Sequence, residues 1–174
     1  MDKICELSTI NGVKIFLPTY FIYQKSMKDN MNDCEILIRF LALDEYFAKN
    51  NYGFKIYDEI QKYRVNLIRE IPSAQYDNVH TFKNLINSIQ TKGFLSQYPI
   101  VLNKDFSVVD GAHRLAIALY LGIKEVPVVF PQEAFNFEFD YSINWLKSNG
   151  FEKYLDLLYE QHERIVKMYE DNDV

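Results

Sequence analysis

The stretch Val108-Val109-Asp110-Gly111-Ala112-His113-Arg114-Leu115-Ala116 constrains this chain more than any other. A β-branched run meets Asp-Gly and passes into an alanine-rich segment, so a strand must turn sharply into a helix there. The first turn of a helix leaves backbone N–H groups unpaired and carries a partial positive charge. Gly111 lets a ligand approach that backbone closely, and Arg114 adds a planar fork suited to phosphate. Dipole logic favours acids at a helix N-terminus, yet His113 and Arg114 sit at that end. An anion at the turn would balance them. The plainer reading is a capped turn, with Asp110 as N-cap and the two bases facing solvent.

The flanking segments supply a scaffold. Ile4 to Phe16 holds β-rich runs on either side of Asn11-Gly12, a two-residue hairpin signal. Pro18 ends that pattern, and Tyr20-Phe21-Ile22-Tyr23 reads as core or sheet cover. From Asn32 to Lys49, Ile36, Leu37, Phe40, Leu41, Leu43 and Phe47 fit a helix with a broad buried face. Phe54 to Tyr63 repeats apolar residues at helical spacing, Val65 to Ile71 reads as a strand, and Pro72-Ser73 as a loop. Phe82, Leu85, Ile86 and Ile89 then mark one face of a helix that stops at Gly93. Pro99–Leu102 and Phe106–Val109 form two strands around Asn103-Lys104-Asp105, Gly111–Leu121 a helix, and Val126–Phe130 a strand. Helices over Tyr141–Ser148 and Phe151–Tyr169 follow. The longer one is predicted to cover the domain, with a homodimer through it as the other use, and Trp145 to pack beneath it or approach the pocket.

These elements predict an α+β (mixed α/β) fold with a small mixed sheet. The chain reads as one domain over 1–174: a core at about 65–131, an N-terminal extension 1–64 and a C-terminal helical extension 132–174. The 174 residues are 48% hydrophobic, with 13 Tyr and 13 Phe, enough apolar material for a real core. No apolar run is long enough to span a membrane and no basic-then-apolar leader opens the chain, so the cytoplasm is the expected compartment. Cys5 and Cys34 form neither a disulfide framework nor a zinc motif. The formal net charge of −5 and the absence of a basic stripe disfavour DNA as a partner.

From Leu85 to Phe130 the chain resembles the ParB/sulfiredoxin superfamily. The residues that carry the resemblance are Leu85-Ile86, Ser88-Ile89, Gly93, Pro99-Ile100-Val101, Val109-Asp110-Gly111-Ala112-His113-Arg114, Gly122 and Val126-Pro127-Val128. They cover about a quarter of the chain. The superfamily includes chromosome-partition proteins that bind and hydrolyse CTP, sulfiredoxins, and free-serine kinases with an Asp-Gly-His-His-Arg turn, the closest match here. The resemblance implies a nucleotide-phosphate site at the turn. Ala112 stands where sulfiredoxins carry their reactive cysteine, and Ala112-His113 replaces the Glu-Arg of the partition proteins. The kinases carry a functional glutamate after a proline, where this chain has Ser73, Ala74 and Gln75. Glu70, before Pro72, is the additional acid within reach.

The leading expectation is thus a phosphotransferase that uses ATP, ADP or CTP with Mg²⁺ on a small hydroxyl-bearing metabolite such as a serine-like compound. Phosphoryl transfer needs phosphate cradling, charge neutralisation and a group that orients or deprotonates the acceptor. Gly111, Ala112, His113 and Arg114 are the expected phosphate-binding residues. Asp110 is the expected catalytic residue, as Mg²⁺ ligand or base, with His113 assisting. The alternative is a non-enzymatic CTP/ATP switch or DNA-associated module using the same turn. A nuclease ranks third, because metal-dependent cleavage usually needs several converging carboxylates.

Overall fold

The computed structural model describes residues 14–27, 31, 33–69, 78–131 and 141–170, with backbone only over 65–69. Four strands form one mixed sheet: β1 (Ile15–Pro18), β2 (Ile100–Leu102), β3 (Val108–Asp110) and β4 (Glu125–Val129). Seven α-helices surround it: α1 (Thr19–Met27), α2 (Glu35–Tyr46), α3 (Gly53–Arg69), α4 (Asn78–Lys92), α5 (Ala112–Tyr120), α6 (Ile143–Ser148) and α7 (Leu155–Glu170). The architecture is α+β, as the sequence predicts. Sheet order is β1-β4-β2-β3. β4 runs antiparallel to β1 and parallel to β2, while β2 and β3 are antiparallel.

The predicted strand at Val65–Ile71 is a correction: 65–69 continue α3. The apolar run there is locally β-like, but no breaker separates it from the helical period that starts at Phe54, and Pro72 lies three residues beyond the helix. The outer edge of β4 is instead occupied by β1, with Ile15 opposite Val128 and Leu17 opposite Val126. Thr19 fastens this addition, its N–H and hydroxyl bonding the carbonyls of Lys124 (2.8 Å) and Ile123 (2.6 Å). The Asn11-Gly12 hairpin and Cys5 lie outside the described residues.

At the centre lies α2. Its run from Ile36 to Leu43 is buried on every side, as a helix apolar all round must be. It packs against α3, α5 and α7. Each large aliphatic side chain so buried contributes about 1.5–3 kcal/mol. The aromatic run at 20–23 lies in α1 and serves packing: Tyr20 stacks on Tyr169 of α7 at 4.8 Å, and the Tyr23 hydroxyl meets His162 Nδ1 at 2.6 Å. α7 buries Leu155, Leu158 and Ile165 inside the chain, so it covers the core. Trp145 stacks on Phe151 and packs edge-on to Tyr63 and Tyr141. Among the described residues, no helix is long and apolar enough to cross a membrane.

Candidate functional site at the Asp110–Arg114 turn

The strand-to-helix turn forms as the sequence predicts, with two differences in detail. Val101 pairs with Asp110 and Leu102 with Val108, so Val109 is an extra residue on β3. Such a bulge breaks the alternation of faces and re-aims the next side chain. Asp110 accordingly projects outward, its side chain 71% exposed. The second difference corrects the expected cap. The N-cap of α5 is Gly111, at φ +99°, and no side chain caps the helix.

Asp110 instead binds Arg114, whose Nη2 donates to Asp110 Oδ2 at 2.9 Å and to the Pro99 carbonyl at 3.2 Å. The guanidinium therefore folds back over Gly111 and clasps the turn to the start of β2. A Cβ at Gly111 would lie 2.9 Å from Arg114 Nη2 and 3.3 Å from Ile100 Cα. Glycine is needed here for both the backbone angle and the clasp. The N–H groups of Ala112, His113 and Arg114 belong to the first turn of α5, and the first bond closing that turn runs from Leu115 N–H to the Gly111 carbonyl at 2.8 Å.

His113 points the other way, into the protein. Its Nε2 lies 2.7 Å from the Tyr57 hydroxyl, and its ring packs edge-on against Phe82 at 4.8 Å. Burial lowers its pKa well below 6.5, and the guanidiniums of Arg39, Arg64 and Arg114 push it the same way. The ring is neutral near pH 7. Burial also pushes the Tyr57 hydroxyl up to about 12, so it stays protonated. His113 thus anchors α5 to α3 and carries the polar face of the turn inward.

That inward face holds residues the motif does not contain. Arg39, 2% exposed, bonds the Glu35 carbonyl and Oε1, each at 2.9 Å. Arg64 reaches the same Oε1 at 3.6 Å and lies over the Tyr141 ring at 4.9 Å. One sequence signal could have found Arg39: it is the single charge inside the apolar run Ile36–Leu43. Tyr57 and Arg64 gave no such signal, because their partners are far away in sequence. Cys34 is buried, and burial together with Asp33 pushes its thiol up to about 12, in keeping with a structural thiol.

The structure brings together Asp110, Gly111, Ala112, His113 and Arg114. Glu70 and the stretch Ser73–Gln75 lie outside the described residues. Among the described residues, no three His, Cys, Asp or Glu side chains converge to hold a metal ion.

No family model matches the chain, and no solved structure matches it. Over 84 residues it is 39% identical to an uncharacterized protein, ORF326b, of Acidianus two-tailed virus. That alignment takes in 48% of this chain and 22% of the viral protein, so the chain matches about a fifth of that relative's length.

Proposed function

We propose that this chain is a ParB/sulfiredoxin-like, nucleotide-dependent phosphotransferase acting on a small hydroxyl-bearing metabolite. The observation that carries the reading is the exposed turn itself. An outward carboxylate, the unpaired first N–H groups of a helix and a guanidinium meet within five residues. Helix N-termini of this kind hold phosphate through N–H groups and dipole together. Arg114 supplies charge for the phosphates once its clasp on Asp110 opens.

Mg²⁺ is usually held by one or two carboxylates plus substrate phosphates, and the single exposed carboxylate of Asp110 fits that donor set. There it would neutralise phosphate charge. In the proposed step the acceptor oxygen bonds the terminal phosphorus as the bridging P–O bond breaks. The electron pair of that bond leaves with the nucleoside diphosphate, and the hydroxyl proton passes to Asp110. His113 is a positioning residue in this scheme: neutral and held by Tyr57, it fixes α5 and its N–H groups.

The Asp110–Arg114 pair also favours a second reading, a nucleotide switch without turnover, because it engages the carboxylate that would act as base. The test is calorimetry with ATP, ADP and CTP, with and without Mg²⁺, followed by phosphorus NMR of mixtures with hydroxyl-bearing metabolites including serine. Binding plus a new phosphomonoester is expected. Asp110→Asn should keep nucleotide binding and lose turnover. A fully active Asp110→Asn protein would sink the phosphotransfer scheme. Binding without any product selects the switch, and failure of the wild type to bind any nucleotide rules out the site.

A further inference from the structure

Three guanidiniums from three helices, Arg39 of α2, Arg64 of α3 and Arg114 of α5, each leave a buried Nε with no hydrogen-bond partner. These are the same three that act on the His113 ring. Buried donors are normally satisfied, so three orphaned Nε–H groups around one histidine require an account.

Arg39 and Arg64 share a single carboxylate, that of Glu35. On α3, Tyr57, Gln61 and Arg64 stand at i, i+4 and i+7, one above another on a single face. The Gln61 amide donates to the Tyr141 hydroxyl at 3.2 Å, and the Tyr57 hydroxyl meets His113 at 2.7 Å. This polar face therefore runs continuously from Arg39 and Arg64 to the α5 N-terminus. The other acid at the cluster, Asp33, is pushed up to about 7 by burial and by the neighbouring Glu35.

We infer that Arg39 and Arg64, lined up with Tyr57 behind His113, form an anion subsite that grips the carboxylate or phosphate group of the phosphoryl acceptor. This rests on the phosphotransferase reading above and gives its acceptor a chemical class: a small acid carrying a hydroxyl. Guanidinium forks bind carboxylate and phosphate alike, and charge-assisted bonds of this kind are the strong ones. Held there, the acceptor would lie behind the turn while the nucleotide phosphates occupy its outer face.

The test is NMR of the arginine side-chain Nε–H groups in the full chain, titrated separately with glycolate and with inorganic phosphate. Saturable shifts at Arg39 and Arg64 are expected. The probe that saturates at lower concentration distinguishes a carboxylate from a phosphate ester as the acceptor's acid group. Arg64→Gln should weaken that probe roughly tenfold or more. If the variant fails a thermal-melt check, the wild-type titration decides alone. No shift at Arg39 and Arg64 with either probe overturns the subsite, even where Arg114 responds and nucleotide binds. Shifts at Arg39 and Arg64 in a protein that binds no nucleotide leave the subsite standing and remove the turn reading instead.

Discussion

Gly111→Ala separates two roles of the turn glycine, and Gly122→Ala provides the control. An L-residue in left-handed backbone costs roughly 1–2 kcal/mol. Gly122, at φ +68° with nothing within 4 Å of an added Cβ, should show that cost alone. At Gly111, at φ +99°, the methyl would also meet Arg114 Nη2 at 2.9 Å and Nε at 3.2 Å. The guanidinium must then leave Asp110 and the Pro99 carbonyl. A charge-assisted bond contributes about 1.5–3 kcal/mol, and the exposure of Asp110 reduces this to about 1–2. Gly111→Ala should therefore destabilise by about 2–4 kcal/mol, against about 1–2 for Gly122→Ala. Urea unfolding reads the difference as a lower midpoint at constant slope. In an Arg114→Ala background the excess at Gly111 should vanish, which is the double-mutant signature of the clasp. Equal costs at the two glycines, or an excess that survives Arg114→Ala, would refute the clasp.

Other perturbations test the surrounding framework. Tyr57→Phe leaves His113 Nε2 buried without its partner, and denaturant unfolding should show a loss of about 1–3 kcal/mol. A loss near zero would mean the Tyr57–His113 bond does not hold α5. Asp44 accepts from Tyr120 (2.8 Å) and Arg164 (2.7 Å), so Asp44→Ala should cost about 1–3 kcal/mol in the same assay, with no effect on nucleotide affinity by calorimetry. The pH dependence of stability combines opposite signs. His113, held well below 6.5, keeps its proton off in the folded state, so stability falls as pH drops below about 6.5. Asp33, raised from 3.8 to about 7, binds a proton more readily when folded, so stability falls as pH rises through that interval. Asp33→Asn keeps an acceptor for the Glu35 N–H, and relative to wild type its stability should rise with pH by up to about 1.4 kcal/mol per unit within that window. Parallel wild-type and variant profiles would contradict the buried-acid assignment.

What the sequence showed and what it hid follow the range of the interactions. The turn was legible because its determinants are local: a β-branched run, Asp110-Gly111, then Ala112 to Ala118 within one helix. The bulge at Val109 was not, since a register shift exists only relative to β2, and it decides where Asp110 points. Asp110 was misread as the cap because Asp is favoured there, whereas its carboxylate found a guanidinium four residues on. Strand β1 escaped for a related reason. Ile15–Pro18 is too short to carry a decisive pattern, and its pairing with β4 spans most of the chain.

The N-terminal extension consequently belongs to the candidate site. His113 lies in the predicted core, yet its hydrogen-bond partner Tyr57 lies in α3, and two of the three guanidiniums that keep its ring neutral lie in α2 and α3. Without residues 14–64, the outer edge of β4 and the Nε2 of His113 would both lose their partners. The three guanidiniums come from three helices but face one neutral ring, and they share few carboxylates, so their repulsion must be offset where they meet. Glu35 offsets part of it, Asp110 part, and an anionic ligand drawn to the remaining donors would supply the rest. The same charge balance links the exposed turn to the buried face behind it, which is why binding on one side should be felt on the other.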